Sequence, residues 1–395
     1  MSASESIILT DVDQSIWHEN YRLDQDSGPQ LAGSSQWSLE KRTLHGGVSD
    51  GVDVIEVNNG KLSFSILPTR GMGLWKGTCE GLHVGWNSPV KSPVHPAFVQ
   101  QEDRGGLGWL GGFNEWMVRC GLSWHGAPCH DPDGHPLERQ LTLHGRIANT
   151  PAHYVEASVS PENGGEISVT GVVRETIFFG PHLELRSTVK TRAGSSSLTI
   201  IDEVTNHGNA AADLELLYHT NLGSPILEEG ARFVAPIREM VPRDKHAADD
   251  NDTYGTYLGP TDGYVEQCYF FDMLADEHGK TPVLLRNRSG NIGFSMSYNR
   301  ETLPWFTLWK CTHGNNAGYV TGLEPGTDFP NPRPFERQKG RVIKLGVGQT
   351  HRTELELAIH TTAAEVKSIE QHIAQLQNRV HPVVHKEPHG DWCPS

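Results

Sequence analysis

Three short segments of the 395-residue chain end an apolar, alternating run on a side chain that can move a proton. In the first, Tyr319-Val320-Thr321-Gly322-Leu323 leads into Glu324, then Pro325 and an irregular stretch from Gly326 to Pro332. A carboxylate at a strand end has its position set by the sheet, as proton transfer requires. In the second, Leu141-Thr142-Leu143 runs into His144 beside Gly145, which lets a ligand approach closely, and then Arg146. In the third, Leu214 to Leu217 leads into Tyr218, His219, Thr220 and Asn221. Each segment alone has a plain structural alternative, a glutamate exposed at a turn or a histidine hydrogen-bonded at a strand end. A fourth segment, Cys129 to His135, offers thiol, imidazole and carboxylate groups. Its Pro, Gly and Asp content is that of a surface turn, and its spacing matches no zinc or calcium pattern, so no metal is expected. The glycines Gly105, Gly106 and Gly108 follow no strand pattern and open no clear helix, which argues against a nucleotide cofactor.

Short strands are the elements that must hold these groups. Forty-two glycines and 24 prolines punctuate the chain throughout. Between them, Lys61–Leu67 alternates Leu62, Phe64 and Ile66, and Glu166–Arg174 alternates Ile167, Val169 and Val173. Asn291–Tyr298 and Arg352–His360 behave alike, and Leu183–Thr191 with Ser197–Asn206 flank a Gly-containing hairpin loop. The expectation is an all-β chain, a large antiparallel β-sandwich with few short helices. One exception is Thr362–Arg379, where Thr362 and Glu365 make a capping-box pattern and Val366, Ile369, Ile373 and Leu376 recur at helical spacing. That C-terminal helix is expected on the outside of the sheets, with residues 380–395 a tail. Asn87–Glu138, rich in Gly and Trp, reads as long loops, and Arg243–Asp252 as a solvated loop. With no repeat or linker in view, residues 1–395 are expected to form one domain.

Composition narrows the partners. Thirty-three Lys plus Arg against 48 Asp plus Glu give a formal charge of -15, which disfavours nucleic acid and anionic membranes and suits a small neutral ligand. No apolar run is long enough to cross a bilayer, and the first residues lack a basic head and apolar stretch, so a cytoplasmic location is expected. Six scattered cysteines without a CxxC pair read as free thiols.

Taken in order, the Leu-His-Gly around His144, the strand-borne His219 and the late Gly-Leu-Glu-Pro at Glu324 followed by Phe-Pro-Asn-Pro resemble the aldose 1-epimerase (galactose mutarotase) superfamily. The likeness is to its divergent branch of unassigned epimerase-like proteins, and it extends to Leu67–Gly73 and Leu303–Lys310. What the resemblance implies is a galactose mutarotase-like supersandwich that interconverts α and β anomers of a free monosaccharide without cofactor. It implies Glu324 as base, His219 as acid and His144 as a contact to the ring oxygen. It further implies Arg70 and Arg146 as hydroxyl-binding groups. Sugars also present an apolar C–H face, for which Trp305 and Trp309 are candidate platforms, while Trp109, Trp116 and Trp124 could line the opening. Two alternatives remain open at this point: a non-catalytic carbohydrate-binding protein, and a lyase or glycosidase on a related sandwich.

Overall fold

Burial alternates residue by residue along Ser197–Asn206 and nearly so along His182–Arg192, the signature of strands with one face in a core and one toward solvent. In this computed structural model, which describes residues 4–32 and 36–394, these strands belong to a 10-stranded antiparallel sheet. The expected Glu166–Arg174 strand runs over Glu166–Thr176, Asn291–Tyr298 over Gly293–Asn299, and Arg352–His360 over Thr350–His360. A second sheet of 13 strands packs against it through one continuous apolar core in which Leu185, Ile200, Met296 and Leu357 meet Phe64, Tyr218, Leu308 and Leu323. The architecture is the expected large β-sandwich, its two sheets almost wholly antiparallel.

The larger sheet is buried on both faces where it matters. In its middle, Trp305–Thr312, Tyr319–Gly326, Leu217–Leu222 and Met117–Cys120 lie side by side in that order. Their inward side chains (Phe306, Leu308, Tyr319, Leu323, Tyr218, Leu222) join the core between the sheets. Their outward side chains include Val118, Cys120 and Leu217, which form a separate apolar cluster with Trp109, Phe113 and Ala148. The cover over this outer face comes from the Gly- and Trp-rich stretch expected to be loops. That expectation needs one correction: Met117–Cys120 within it is a central strand, paired with Leu217–Leu222. Four residues buried on both sides show no alternation, so the strand carried no periodic signal.

Three smaller points complete the fold. The C-terminal helix, Ala363–Gln377, has Thr362 as its cap with the capping box to Glu365, and packs Val366 and Ile373 on Leu284. Arg243–Asp252 is partly helical over Lys245–Asp249, capped by Asp244, and Ala247 is buried, so it is not simply a solvated loop. The expected tail is also docked. Val383–Val384 pairs in parallel with Ile237–Pro242, Asn331 Nδ2 donates to the Trp392 carbonyl at 2.8 Å, and Trp392 and Cys393 are buried against Phe270 and Phe329. No helix among the described residues is long and apolar enough to cross a membrane. Because the Trp392 ring fills a cluster with Trp305 and Phe329 at centroid distances of 5.4 and 5.0 Å, Trp392→Ala is expected to cost about 3 kcal/mol. Urea unfolding reads this as a lower midpoint at unchanged slope; an unchanged midpoint would mean that the segment is not part of the folded unit.

Candidate active site

Antiparallel pairing of Leu217–Leu222 with Tyr319–Gly326, in the register Leu217↔Gly326 and Thr220↔Leu323, sets His219 opposite Glu324 on the outer face. His219 Nε2 lies 3.2 Å from Glu324 Oε1. Both side chains are almost wholly removed from solvent. The approach is not aligned as a hydrogen bond, and Oε1 has no other partner. Gly322 makes this contact possible, since a Cβ there would stand 2.2 Å from Glu324 Oε1 and 3.1 Å from His219 Cε1. His144 arrives from the covering loops at φ 60 with its ring centroid 5.6 Å from that of His219. Aromatic rings enclose the group. Phe113 stands edge-on to His219 at 5.1 Å, Trp309 at 5.3 Å, and Trp109 edge-on to His144 at 4.6 Å, with Trp86 behind Phe113 at 4.9 Å.

Both histidine tautomers follow from their partners. Asn221 uses its Nδ2 on the carbonyls of Glu115 and His219, which leaves Oδ1 to accept, so His219 donates from Nδ1 at 2.7 Å. His144 donates from Nδ1 to the His125 carbonyl at 2.8 Å. In its neutral form each ring therefore presents a bare Nε2. Burial drives the charges out of the site: it pushes His144 down to about 4 and His219 well below the usual histidine range, with repulsion between the two rings adding to the second. The same burial, reinforced by the nearby Glu266 carboxylate, pushes Glu324 well above the usual carboxylate range. Burial thus favours the neutral form of all three groups, a protonated Glu324 beside the bare Nε2 of His219.

The remaining expected residues divide. Trp309 lies at the site and donates from Nε1 to Glu266 at 2.6 Å. Arg146 lies two residues beyond His144, its guanidinium 5.0 Å over the Trp124 ring, 3.7 Å from Glu138, and 37% exposed. Arg70 is corrected: it is fully buried, and its guanidinium donates to Glu115 at 2.8 Å, to the Gly112 carbonyl at 3.0 Å and to Asn149, so it braces the loops and has no free face for a ligand. Trp305 is corrected as well, because it packs on Phe329 and Trp392 away from the histidines. Of the three tryptophans expected at the opening, only Trp109 touches the catalytic candidates; Trp116 packs in the core against Phe294 and Trp124 lies under Arg146. In the segment weighed for a metal, Asp131 is paired with Arg333 and Arg337, which hold it down at about 2. Sequence reasoning missed Phe113, Asn221 and His125. Asn221 alone had a local signal, since two residues along a strand from His219 it must share that face.

Residues 49–359 match a family described as a domain of unknown function, DUF4432. The chain belongs to this family. A "putative aldose 1-epimerase" from Klebsiella pneumoniae is similar to this DUF4432 protein throughout, at 36% identity over 98% of this chain and 99% of that one, with a TM-score of 0.93. A galactose mutarotase-like protein from Clostridium acetobutylicum (14% identity, 82% and 98% covered, TM-score 0.56) and a galactose mutarotase related enzyme from Lactobacillus acidophilus (13%, 78% and 98%, 0.52) share the fold. No curated protein matches the chain.

Depressed histidines have a consequence for this DUF4432 protein that NMR can check. The His144 C2–H resonance should titrate near about 4, whereas an unperturbed histidine titrates near about 6.5. The unfolded chain then takes up the proton first, so this contribution to stability is complete above about 6.5 and is lost as pH falls through the window between the two values. A His144 midpoint near 6.5 would show that the ring is not held in a dry site.

Proposed function

We propose that the protein is an aldose 1-epimerase-like mutarotase acting on a free monosaccharide. The observation that carries this reading is the 3.2 Å contact between Glu324 and His219 inside an aromatic enclosure shared with His144. Anomer exchange needs one proton taken from the hydroxyl on the anomeric carbon and one given to the ring oxygen. The bond from that carbon to the ring oxygen then breaks, a carbonyl forms, and rotation followed by reclosure yields the other anomer. A pair that holds one proton and one vacant lone pair meets this requirement and returns to its starting state after each turnover.

Glu324 is the base and His219 the acid. In the empty site the proton rests on Glu324. Sugar hydroxyls that donate to the carboxylate stabilise its ionised form, and the proton passes to His219 Nε2 without change in net charge. Glu324 then accepts the anomeric proton while His219 donates to the ring oxygen. His144 takes a different part from the one the resemblance implied. Its bare Nε2 can only accept, and the ring oxygen is also only an acceptor, so His144 binds a sugar hydroxyl. Trp309 and Trp109 supply flat apolar surface for the C–H face of the ring, and Arg146 reaches a hydroxyl at the edge.

Exchange of magnetisation between α and β anomer signals across a panel of free aldoses tests the reading. Wild-type protein should accelerate exchange for at least one sugar, and Glu324→Gln should reduce the acceleration by about a hundredfold or more. Binding of a sugar with no acceleration by wild type would instead identify a carbohydrate-binding protein.

A further inference from the structure

Behind His144, four residues further along each of the two strands that carry His219 and Glu324, the chain buries a second couple. Glu215 precedes Leu217–Leu222 and Asp328 follows Tyr319–Gly326. Backbone pairing continues this far, since Thr327 N donates to the Leu216 carbonyl at 2.9 Å and Leu216 N to Thr327 Oγ1 at 2.9 Å. Both carboxyls are removed from solvent, Glu215 at 1% and Asp328 at 1% exposure. Among the described residues no Lys or Arg pairs with either, because the nearby Arg341 is spent on Glu336 and Arg333 on Asp131. Two ionised carboxylates in such a place are strongly disfavoured.

What these carboxyls hold is His125. Its ring donates from Nε2 to Asp328 Oδ1 at 2.6 Å, and its backbone N–H donates to Glu215 Oε2 at 3.2 Å. Thr327 Oγ1 adds a third donor to Asp328 Oδ1 at 3.0 Å. The remaining oxygens, Glu215 Oε1 and Asp328 Oδ2, are buried with no hydrogen-bond partner among the described residues, on side chains that the continued strand pairing sets opposite one another. Two carboxyl oxygens can bond only if a proton lies between them. His125 in turn offers the carbonyl to which His144 Nδ1 donates.

We propose that Glu215 and Asp328 share one proton and serve, through His125, as the positioning residues that fix the tautomer and orientation of His144. The couple grips residue 125 by ring and by backbone, so its carbonyl cannot turn away, and His144 must keep its proton on Nδ1 and its lone pair on Nε2. The kinetic consequence rests on the mutarotase reading; the structural one does not.

A shared proton makes a distinctive prediction about amide replacements. In Glu215→Gln the new amide donates to Asp328 and still accepts from His125 N–H. In Asp328→Asn the new amide donates to Glu215 and still accepts from the His125 ring. Each single variant should keep His144 protonated on Nδ1 in long-range proton–nitrogen NMR spectra and keep anomer exchange within about threefold of wild type. The double variant sets donor against donor. It should show a mixture of His144 tautomers and lose about ten- to a hundredfold in exchange rate. If the double variant does not fold, Glu215→Ala against Glu215→Gln makes the same comparison, with only the alanine variant expected to mix the tautomers. A double or alanine variant that keeps Nδ1 protonated overturns the proposal. An absence of exchange in wild type, with the tautomers responding as described, overturns only the mutarotase reading.

Discussion

The register between Leu217–Leu222 and Tyr319–Gly326 is the constraint on which the site depends. One-residue slippage would turn His219 and Glu324 into the core and bring Tyr218 and Leu323 out to the aromatic cover. The apolar residues that alternate with the chemical ones prevent this, because Tyr218, Leu222 and Leu323 are committed to the core between the sheets. The same two strands, each continued by two residues, set Glu215 opposite Asp328. One piece of backbone pairing thereby sets two proton-holding couples, one facing the enclosure and one supporting the loop that delivers His144.

Burial then decides the charge state. The cover formed by Trp86, Trp109, Phe113 and Trp309 removes His219 and Glu324 almost wholly from water and leaves His144 half-buried, and such a site opposes any isolated charge. Carboxyl and imidazole both answer by staying neutral. A neutral pair with one movable proton needs little rearrangement to become an ion pair once sugar hydroxyls replace the missing water. The neutral resting state and the proposed reaction are thus two results of the same enclosure.

Much of this was legible in the sequence, and the remainder was hidden for physical reasons. Strands of the smaller sheet were readable because one face meets solvent, so Ile167, Val169 and Leu355 alternate with polar residues. The helix declared itself through Thr362 and Glu365. Met117–Cys120 did not, since a short strand buried on both faces has no period. Glu324, His219 and His144 stood out because an ionisable group ending an apolar run demands an explanation. Arg70 stood out equally, yet its partners Glu115 and Asn149 lie 45 and 79 residues away, and only the folded chain shows that its guanidinium is fully used. Trp305 and Trp309 share a strand face, and what separates their roles is the docking of Trp392, nearly ninety residues later. Glu215 and Asp328 were unreadable for the same reason, as their meaning lies in a contact between distant positions.

The central claim is that Glu324 carries the resting proton of the site at neutral pH. Infrared difference spectra between wild type and Glu324→Gln at pH 7 test it directly, because Glu215 and Asp328 contribute equally to both and cancel. The account predicts that the substitution removes a protonated-carboxyl stretch from the free protein. Loss of an ionised-carboxylate band instead would contradict it, placing the proton elsewhere and the base in its charged form before any sugar binds.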